Sequence, residues 1–207
     1  MEQLFTHAVS LAVGLSLAAS CGLRAFLPLF VLAIVSRLGP ESLSLIQSES
    51  LQWLQSTPAL IALGVAVVAE VTADKFPAVD HLLDLIQGPV RTIAGGLACV
   101  AVVGHLPVWA TALAAIVAGG GALSVHAGKS ALRVGSTATT AGVANPALSL
   151  GEDALCLGTS LVAVLLGAAA VCTLGLLLAA VIVVFVRRLR GGGEAAEESA
   201  AEPPPAT

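Results

Sequence analysis

Six titratable side chains lie within fifteen residues of a chain that is otherwise strongly apolar: Glu70, Asp74, Lys75, Asp80, His81 and Asp84. Their four carboxylates form two pairs, and the members of each pair are four residues apart. Residues at that spacing share one face of a helix, so each pair would bring two carboxylates close together. Close carboxylates share protons and bind hard cations readily. The stretch therefore indicates a proton or cation site, or the polar lining of a solute pathway.

Pro77 divides this charged stretch, because proline and the residue before it disfavour helix. We expect a helix end, a kink and then a short helix. Glu70 follows an uncharged run and falls within the last turns of the helix that precedes Pro77. A carboxylate at such a depth in a membrane is costly and usually functional. Asp80 and Asp84 lie beyond the break, and a solvated cytoplasmic elbow explains them as well.

A second polar stretch reads GSTATTAGVANP, from residue 135 to 146. It offers four hydroxyls and an amide: Ser136, Thr137, Thr139, Thr140 and Asn145. Hydroxyls and unwound backbone bind ions or anionic groups in transporters that have broken helices. Lys129 and Arg133 just upstream would favour an anion such as a phosphate headgroup. We expect residues 133–153 to form a broken segment that dips into the protein. The alternative is a flexible polar loop.

Arg24 lies between two apolar runs that leave no room for a loop. One interpretation is an arginine that sets membrane topology at an interface. The other is a salt bridge with Glu70 or Asp74 inside the protein. Under the second interpretation Arg24 joins the charged residues 70–84 in a polar centre, and the sequence leaves open whether a metal ion binds there.

The elements that carry these residues are apolar segments. Hydrophobic residues make up 57% of the 207-residue chain and charged residues 11%, whereas soluble domains are about 25% charged. This composition predicts an integral membrane protein. The segments without charge are about Leu4–Leu23, Ala25–Ser36, Pro58–Ala69, Thr92–Gly104, Pro107–Val125 and Ala154–Val186. Because a straight crossing needs about 20 residues, their uneven lengths predict an all-α transmembrane bundle of about six or seven membrane segments with broken or re-entrant helices.

The basic residues predict the orientation, since Lys and Arg gather on the cytoplasmic side. RRLR at 187–190 directly follows the last apolar run, so we expect the C-terminus to be cytoplasmic. Threading the other segments back and forth from there places eight of the nine basic residues inside and only Arg37 outside. Trp53 and Trp109 then fall at the outer interface, which tryptophan favours.

The domain organisation follows from composition. We expect a single membrane domain over residues 1–190 and a disordered, acidic and proline-rich tail over residues 191–207. LSLAASCGLR at 15–24 is similar to LSVHAGKSALR at 123–133, and TPAL at 57–60 is similar to NPAL at 145–148. An internal repeat would fit a transporter, but these residue types are so common in this chain that chance is the alternative.

Several classes of protein are disfavoured by what the chain lacks. The four cysteines, Cys21, Cys99, Cys156 and Cys172, are scattered through apolar runs without a CxxC motif, so we expect packing roles, no disulfide and no zinc. We find no catalytic constellation, and we therefore expect neither an enzyme nor a cofactor. With no basic arm in the chain, we expect no nucleic-acid partner.

Three stretches together resemble a small bacterial membrane-protein family known only as a domain of unknown function. They are AASCGLRAFLPL, VAEVTADKFPAVDHLLDLIQGP and GSTATTAGVANP, and the resemblance covers about residues 9–165. The resemblance implies a compact multi-helix domain in the bacterial inner membrane, and it implies no activity.

Two functional hypotheses follow from these patterns. The first is a small transporter or channel that passes a proton, a cation or an unidentified small solute through the charged centre at residues 70–84. The alternative is a non-transporting membrane protein that binds a lipid or a protein partner and uses its charges for folding. Both have the lipid bilayer as a partner, and both leave room for a homo-oligomer.

Overall fold

The computed structural model describes residues 2–39, 45–73 and 77–167, with side chains throughout these ranges except at residue 2 and residues 77–85. Every regular element in these ranges is helical, which confirms the all-α class. In chain order the elements are α1 (Glu2–Leu23), α2 (Leu27–Leu38), a 3-10 helix (Glu49–Gln55), α3 (Thr57–Ala73), α4 (Pro77–Val103), α5 (Val108–Thr140) and α6 (Asn145–Gly167).

Four of these helices are long and apolar enough to cross a membrane: Gln3–Leu23, Ile86–Val103, Val108–Thr140 and Asn145–Gly167. The 3-10 helix and α3 make a fifth candidate span, which bends by 70° at their junction. Helix α2 has 12 residues and is about 18 Å long, shorter than a hydrocarbon core of about 30 Å. The helices indicate a membrane-spanning protein. The larger number of about six or seven segments and the internal repeat stay predictions.

Helices α1, α4 and α5 pack closely against one another, because small residues face each other at their crossings. A Cβ atom on Gly22 of α1 would lie 2.5 Å from the carbonyl oxygen of Ala122 in α5. A Cβ atom on Gly95 of α4 would lie 2.7 Å from the Cβ atom of the same alanine. The three backbones therefore meet around Ala122, which is fully buried.

The helices alternate in direction between two ends of the bundle. At one end His7 of α1 contacts His105, which follows α4, and at the other end Arg91 of α4 contacts Leu23 of α1. Helix α6 runs antiparallel to α1, because Asp153 near its start contacts Arg24 and Gly167 at its end lies against Val13.

Contacts between α2 and α3 extend the same alternation to these helices. Glu70 of α3 reaches Phe26 just before α2, and Arg37 near the end of α2 donates to the carbonyl of Gln55 just before α3. Successive helices therefore run in opposite directions, as the threading of the apolar segments through the membrane requires.

Two polar stretches are more helical than predicted. Helix α4 begins at Pro77, where a proline is tolerated in the first turn, and it continues through Pro89. The short helix predicted after Pro77 is therefore the first part of α4.

Residues 133–153 are interrupted only at 141–144, where a turn joins α5, which ends at Thr140, to α6; most residues around this turn are exposed, so the segment does not dip into the protein as predicted. The hydroxyls of Thr139 and Thr140 donate to the carbonyls of Gly135 and Ser136 four residues earlier, so these polar side chains are accommodated within the helix. Ala141, at φ 52°, and Gly142, at φ 82°, make the turn.

Candidate functional site

Helix α1 ends at Leu23 and α2 begins at Leu27, so residues 24–26 interrupt the chain between two helices. A helix end leaves backbone carbonyls without partners in the helix, and a helix start leaves N–H groups in the same condition. Arg24 and Ala25 between these ends are buried, and buried backbone groups require other hydrogen-bond partners. We call residues 24–26 the α1–α2 break.

Glu70 of α3 accepts the N–H groups at the start of α2. The backbone N–H of Ala25 donates to Oε1 of Glu70 at 2.8 Å, and that of Phe26 donates to Oε2 at 3.2 Å. The glutamate is 8% exposed. A carboxylate at this position is favoured because the N-terminus of a helix carries partial positive charge.

Arg91 of α4 holds the other side of the break. Its Nη1 donates to the carbonyl oxygen of Gly22 at 2.8 Å and also to that of Leu23. Its Nη2 lies 3.2 Å from Oε1 of Glu70 and donates to Oε1 of Gln87. One fully buried guanidinium therefore joins the carbonyl end of α1 to the carboxylate that caps α2.

Arg24 connects the break to α6. Its Nε donates to Oδ1 of Asp153 at 2.5 Å, and its Nη2 donates to Oγ of Ser149 at 3.0 Å. The side chain of Arg24 is fully buried, whereas Asp153 is partly exposed. Because both partners lie near the start of α6, this helix is fastened directly to the interruption of α1.

Helix α5 contributes two further cations that share one carboxylate of α6. Nζ of Lys129 lies 3.1 Å from Oε2 of Glu152, and Nη2 of Arg133 lies 2.9 Å from the same oxygen. Nζ of Lys129 also donates to the carbonyl of Leu23 at 3.3 Å. Lys129 thus links α5, α6 and the end of α1.

The seven charged residues together form what we call the charge cluster: Arg24, Glu70, Arg91, Lys129, Arg133, Glu152 and Asp153. Five of the seven are buried. Arg24 and His7, which lies at the other end of α1, are seventeen positions apart, which corresponds to about 26 Å along the helix. This distance is close to the thickness of a hydrocarbon core, about 30 Å.

The structure brings four of the residues predicted from the sequence into the charge cluster: Arg24, Glu70, Lys129 and Arg133. The sequence predicted that Arg24 pairs with Glu70 or Asp74. Among the described residues Arg24 pairs with Asp153 and Glu70 pairs with Arg91. Asp74 and Lys75 lie outside the described residues. Asp80 and Asp84 belong to α4, but their side chains fall in the range 77–85 whose side chains are not described.

The hydroxyl-rich residues lie apart from the charge cluster, on the hairpin between α5 and α6: Ser136, Thr137, Thr139, Thr140 and Asn145. Nδ2 of Asn145 donates to Oγ1 of Thr137 at 2.9 Å and so joins the two arms of the hairpin. The hydroxyl of Thr140 accepts from the backbone N–H of Ala144 across the turn. These two hydrogen bonds link α5 to the turn and to α6, so Thr137, Thr140 and Asn145 hold the turn together.

Sequence reasoning omitted five residues from the site: Gln87, Arg91, Ser149, Glu152 and Asp153. Three of these residues could have been found by the criterion that singled out Arg24, which is a charged residue directly at the end of an apolar run. Arg91 precedes the run 92–104, and Glu152 and Asp153 precede the run that starts at residue 154. Gln87 and Ser149 carried no comparable signal.

A groove of about 640 Å³ between α5 and α6 reaches the charge cluster. Lys129 and Glu152 lie at its wall, and its remaining lining is apolar or small, including Leu23, Gly128 and Gly151. It gives the charge cluster a side opening along the bundle.

The described part of the chain also contains potential metal ligands and thiols. In residues 2–39, 45–73 and 77–167 no group of three or more His, Cys, Asp or Glu side chains is placed to hold a metal ion. Three cysteines in these ranges, Cys21, Cys99 and Cys156, are buried free thiols, and Cys172 lies outside them.

The long apolar helices and the buried charges at a helix break define the class of this molecule as a helical membrane-spanning protein. Within that class, the chain belongs to the family described as a domain of unknown function, DUF4126, which matches residues 11–187. This match confirms the resemblance seen in the sequence motifs. No curated protein and no solved structure matches the chain.

Proposed function

We propose that the protein is a small transporter or channel that passes an ion or a small solute, with Glu70 and Arg91 at its centre. The observation that carries this proposal is the α1–α2 break, where a buried carboxylate occupies the start of one helix and a guanidinium the end of the other. Discontinuous helices in transporters present the same backbone groups to substrates and coupling ions.

The proposed route crosses the contact between Glu70 and Arg91. The same carboxylate and guanidinium hold the start of α2 and the end of α1, so an ion or solute that competes for either of them would loosen both helix ends together. Such a competitor biases an equilibrium between two arrangements of the bundle, in proportion to its preference for one of them.

We propose that the charge cluster faces the cytoplasm of a bacterium. Four of the basic residues gather at this end of the bundle, and Arg37 lies at the other end. Positively charged residues favour the cytoplasmic side of inner-membrane proteins. The groove beside Lys129 then supplies a route between the cytoplasmic interface and the break.

The test is ion flux in liposomes that contain the purified protein. Fluorescent reporters inside the vesicles record H⁺, Na⁺, K⁺, Cl⁻ and phosphate movement under an imposed gradient. Glu70→Gln retains the size of the side chain and removes its charge, and we expect it to lower the flux at least tenfold. Glu49→Gln is the matched control, because Glu49 is an exposed acid outside the charge cluster, and its flux should equal that of the wild type.

Two results would count against a transport role. One is the absence of flux of every tested ion in wild-type vesicles. The other is equal flux in the Glu70→Gln variant and the wild type. The thermal stability of each variant in detergent is measured in parallel, so that a loss of flux through unfolding is recognised.

A second candidate function, a non-transporting membrane protein, is favoured by one specific contact pattern. Both carboxylate oxygens of Glu70 already accept backbone N–H groups, and Arg91 already holds the carbonyls of α1. Charges used in this way can serve folding alone, while the protein binds a lipid or a protein partner. Under this candidate function, Glu70→Gln and Arg24→Ala both lower the melting temperature, and wild-type vesicles pass no tested ion.

A further inference from the structure

Two histidines meet at the end of the bundle opposite the charge cluster. His7 lies on α1, and His105 lies in the turn between α4 and α5, 98 residues later. Nδ1 of His7 is 3.0 Å from Nε2 of His105, and the rings stack with centroids 5.1 Å apart and planes inclined by 21°. His105 is exposed and His7 is half-buried, so an ion from solution can reach the pair.

We propose that His7 and His105 together bind a divalent late transition-metal ion. Imidazole nitrogen is a ligand suited to Cu²⁺, Ni²⁺ and Zn²⁺ and a poor one for Mg²⁺ or Ca²⁺. The two nitrogens that face each other come from separate elements, so one ion would bridge α1 to the turn that follows α4. This site uses no residue of the charge cluster and is independent of the proposed transport function.

The separation of the nitrogens bears on how an ion would bind. With metal–nitrogen bonds of about 2.05 Å, nitrogens 3.0 Å apart subtend an angle of about 94° at the metal. In the structure the two nitrogens are joined by a hydrogen bond, so a bound ion would displace the shared proton to solvent and the rings would turn slightly toward the ion. We expect Cu²⁺ to bind most tightly, because it forms the most stable complexes with nitrogen ligands among the divalent ions of its row.

His7 and His105 would supply two of the ligands of the ion. Among the described residues no third His, Cys, Asp or Glu completes the set, so water would fill the remaining positions.

Copper titration of the protein without an affinity tag tests the proposal. The electron paramagnetic resonance spectrum of Cu²⁺ should show hyperfine coupling to two imidazole nitrogens at one equivalent of metal. His7→Gln and His105→Gln should each reduce the coupling to one nitrogen and weaken binding at least tenfold. His81→Gln is the matched control, since it removes a histidine of α4 that lies 24 residues before His105, and it should bind Cu²⁺ like the wild type.

Thermal unfolding supplies a second measurement that does not depend on the spectrum. Ni²⁺ should raise the melting temperature of the wild type and of His81→Gln, but not of His7→Gln or His105→Gln, and Mg²⁺ should have no effect. A one-nitrogen spectrum in the wild type, or unchanged Cu²⁺ affinity in both pair variants, would overturn the proposal. If one pair variant fails to fold, the other decides by the same criterion.

Discussion

Replacing Arg91 should destabilise the protein more than replacing any exposed arginine. Arg91→Gln removes a fully buried guanidinium that pairs with Glu70 and caps the carbonyls of Gly22 and Leu23. Removing one partner of a buried ion pair costs about 3–5 kcal/mol, because the other charge stays buried without its counter-ion. For a chain of this size each kcal/mol corresponds to about 2–4 °C, so the melting temperature should fall by roughly 6–20 °C.

The pairwise contribution can be separated by a double-mutant cycle. Glu70→Gln alone leaves Arg91 facing a neutral amide, and the double variant Glu70→Gln/Arg91→Gln removes both charges. The double variant should lose less stability than the sum of the single variants, with a coupling free energy of about 1.5–3 kcal/mol. Unfolding in mixed micelles, followed by the fluorescence of Trp53 and Trp109, measures all four proteins.

Arg37→Gln is the control for this cycle. Arg37 is exposed and donates to the carbonyl oxygen of Gln55, so its loss should change the free energy of unfolding by at most about 1 kcal/mol. The reasoning about the break is refuted if Arg91→Gln destabilises no more than Arg37→Gln. It is also refuted if the coupling between Glu70 and Arg91 is zero within error.

Two further predictions concern backbone positions. Gly22→Ala should destabilise the protein by about 1–3 kcal/mol, because the new Cβ would lie 2.5 Å from the carbonyl oxygen of Ala122. Gly121→Ala should stabilise α5 by about 0.5–1 kcal/mol, because nothing lies within 4 Å of its Cβ position. Equal effects of the two variants on unfolding in micelles would contradict the close crossing of the helices. Ala141→Gly should stabilise by roughly 0.5–1 kcal/mol and Gly142→Ala should destabilise by about 1–2 kcal/mol, since both positions have positive φ. Opposite signs in the same unfolding assay would show that the turn has another conformation.

The helix boundaries were predictable wherever absence of charge coincides with a helix end. The predicted segment Leu4–Leu23 agrees with α1, because Arg24 ends both the uncharged run and the helix. The same criterion places the start of the fourth segment at Thr92, fifteen residues after α4 begins at Pro77, and it ends the fifth at Val125, although α5 continues to Thr140. Lack of charge marks the apolar part of a helix and not its polar extension.

The partners within the charge cluster were less predictable than its members. Arg24 and Glu70 stand out in the sequence because they are charges at the ends of apolar runs. Their pairing with Asp153 and Arg91 depends on how far each helix is rotated and shifted along its neighbour. Packing at positions such as Gly22 and Gly95 decides those rotations, and local charge patterns contain no information about them.

The long sequence separation between Arg24 and Asp153 has a consequence for biosynthesis. The two residues are 129 positions apart, so at about 5–20 residues per second the ribosome needs roughly 6–26 s to supply the partner of Arg24. During this interval the ion pair between Arg24 and Asp153 cannot form. A nascent chain that stops before Asp153 therefore lacks the contact that fastens α6 to the α1–α2 break.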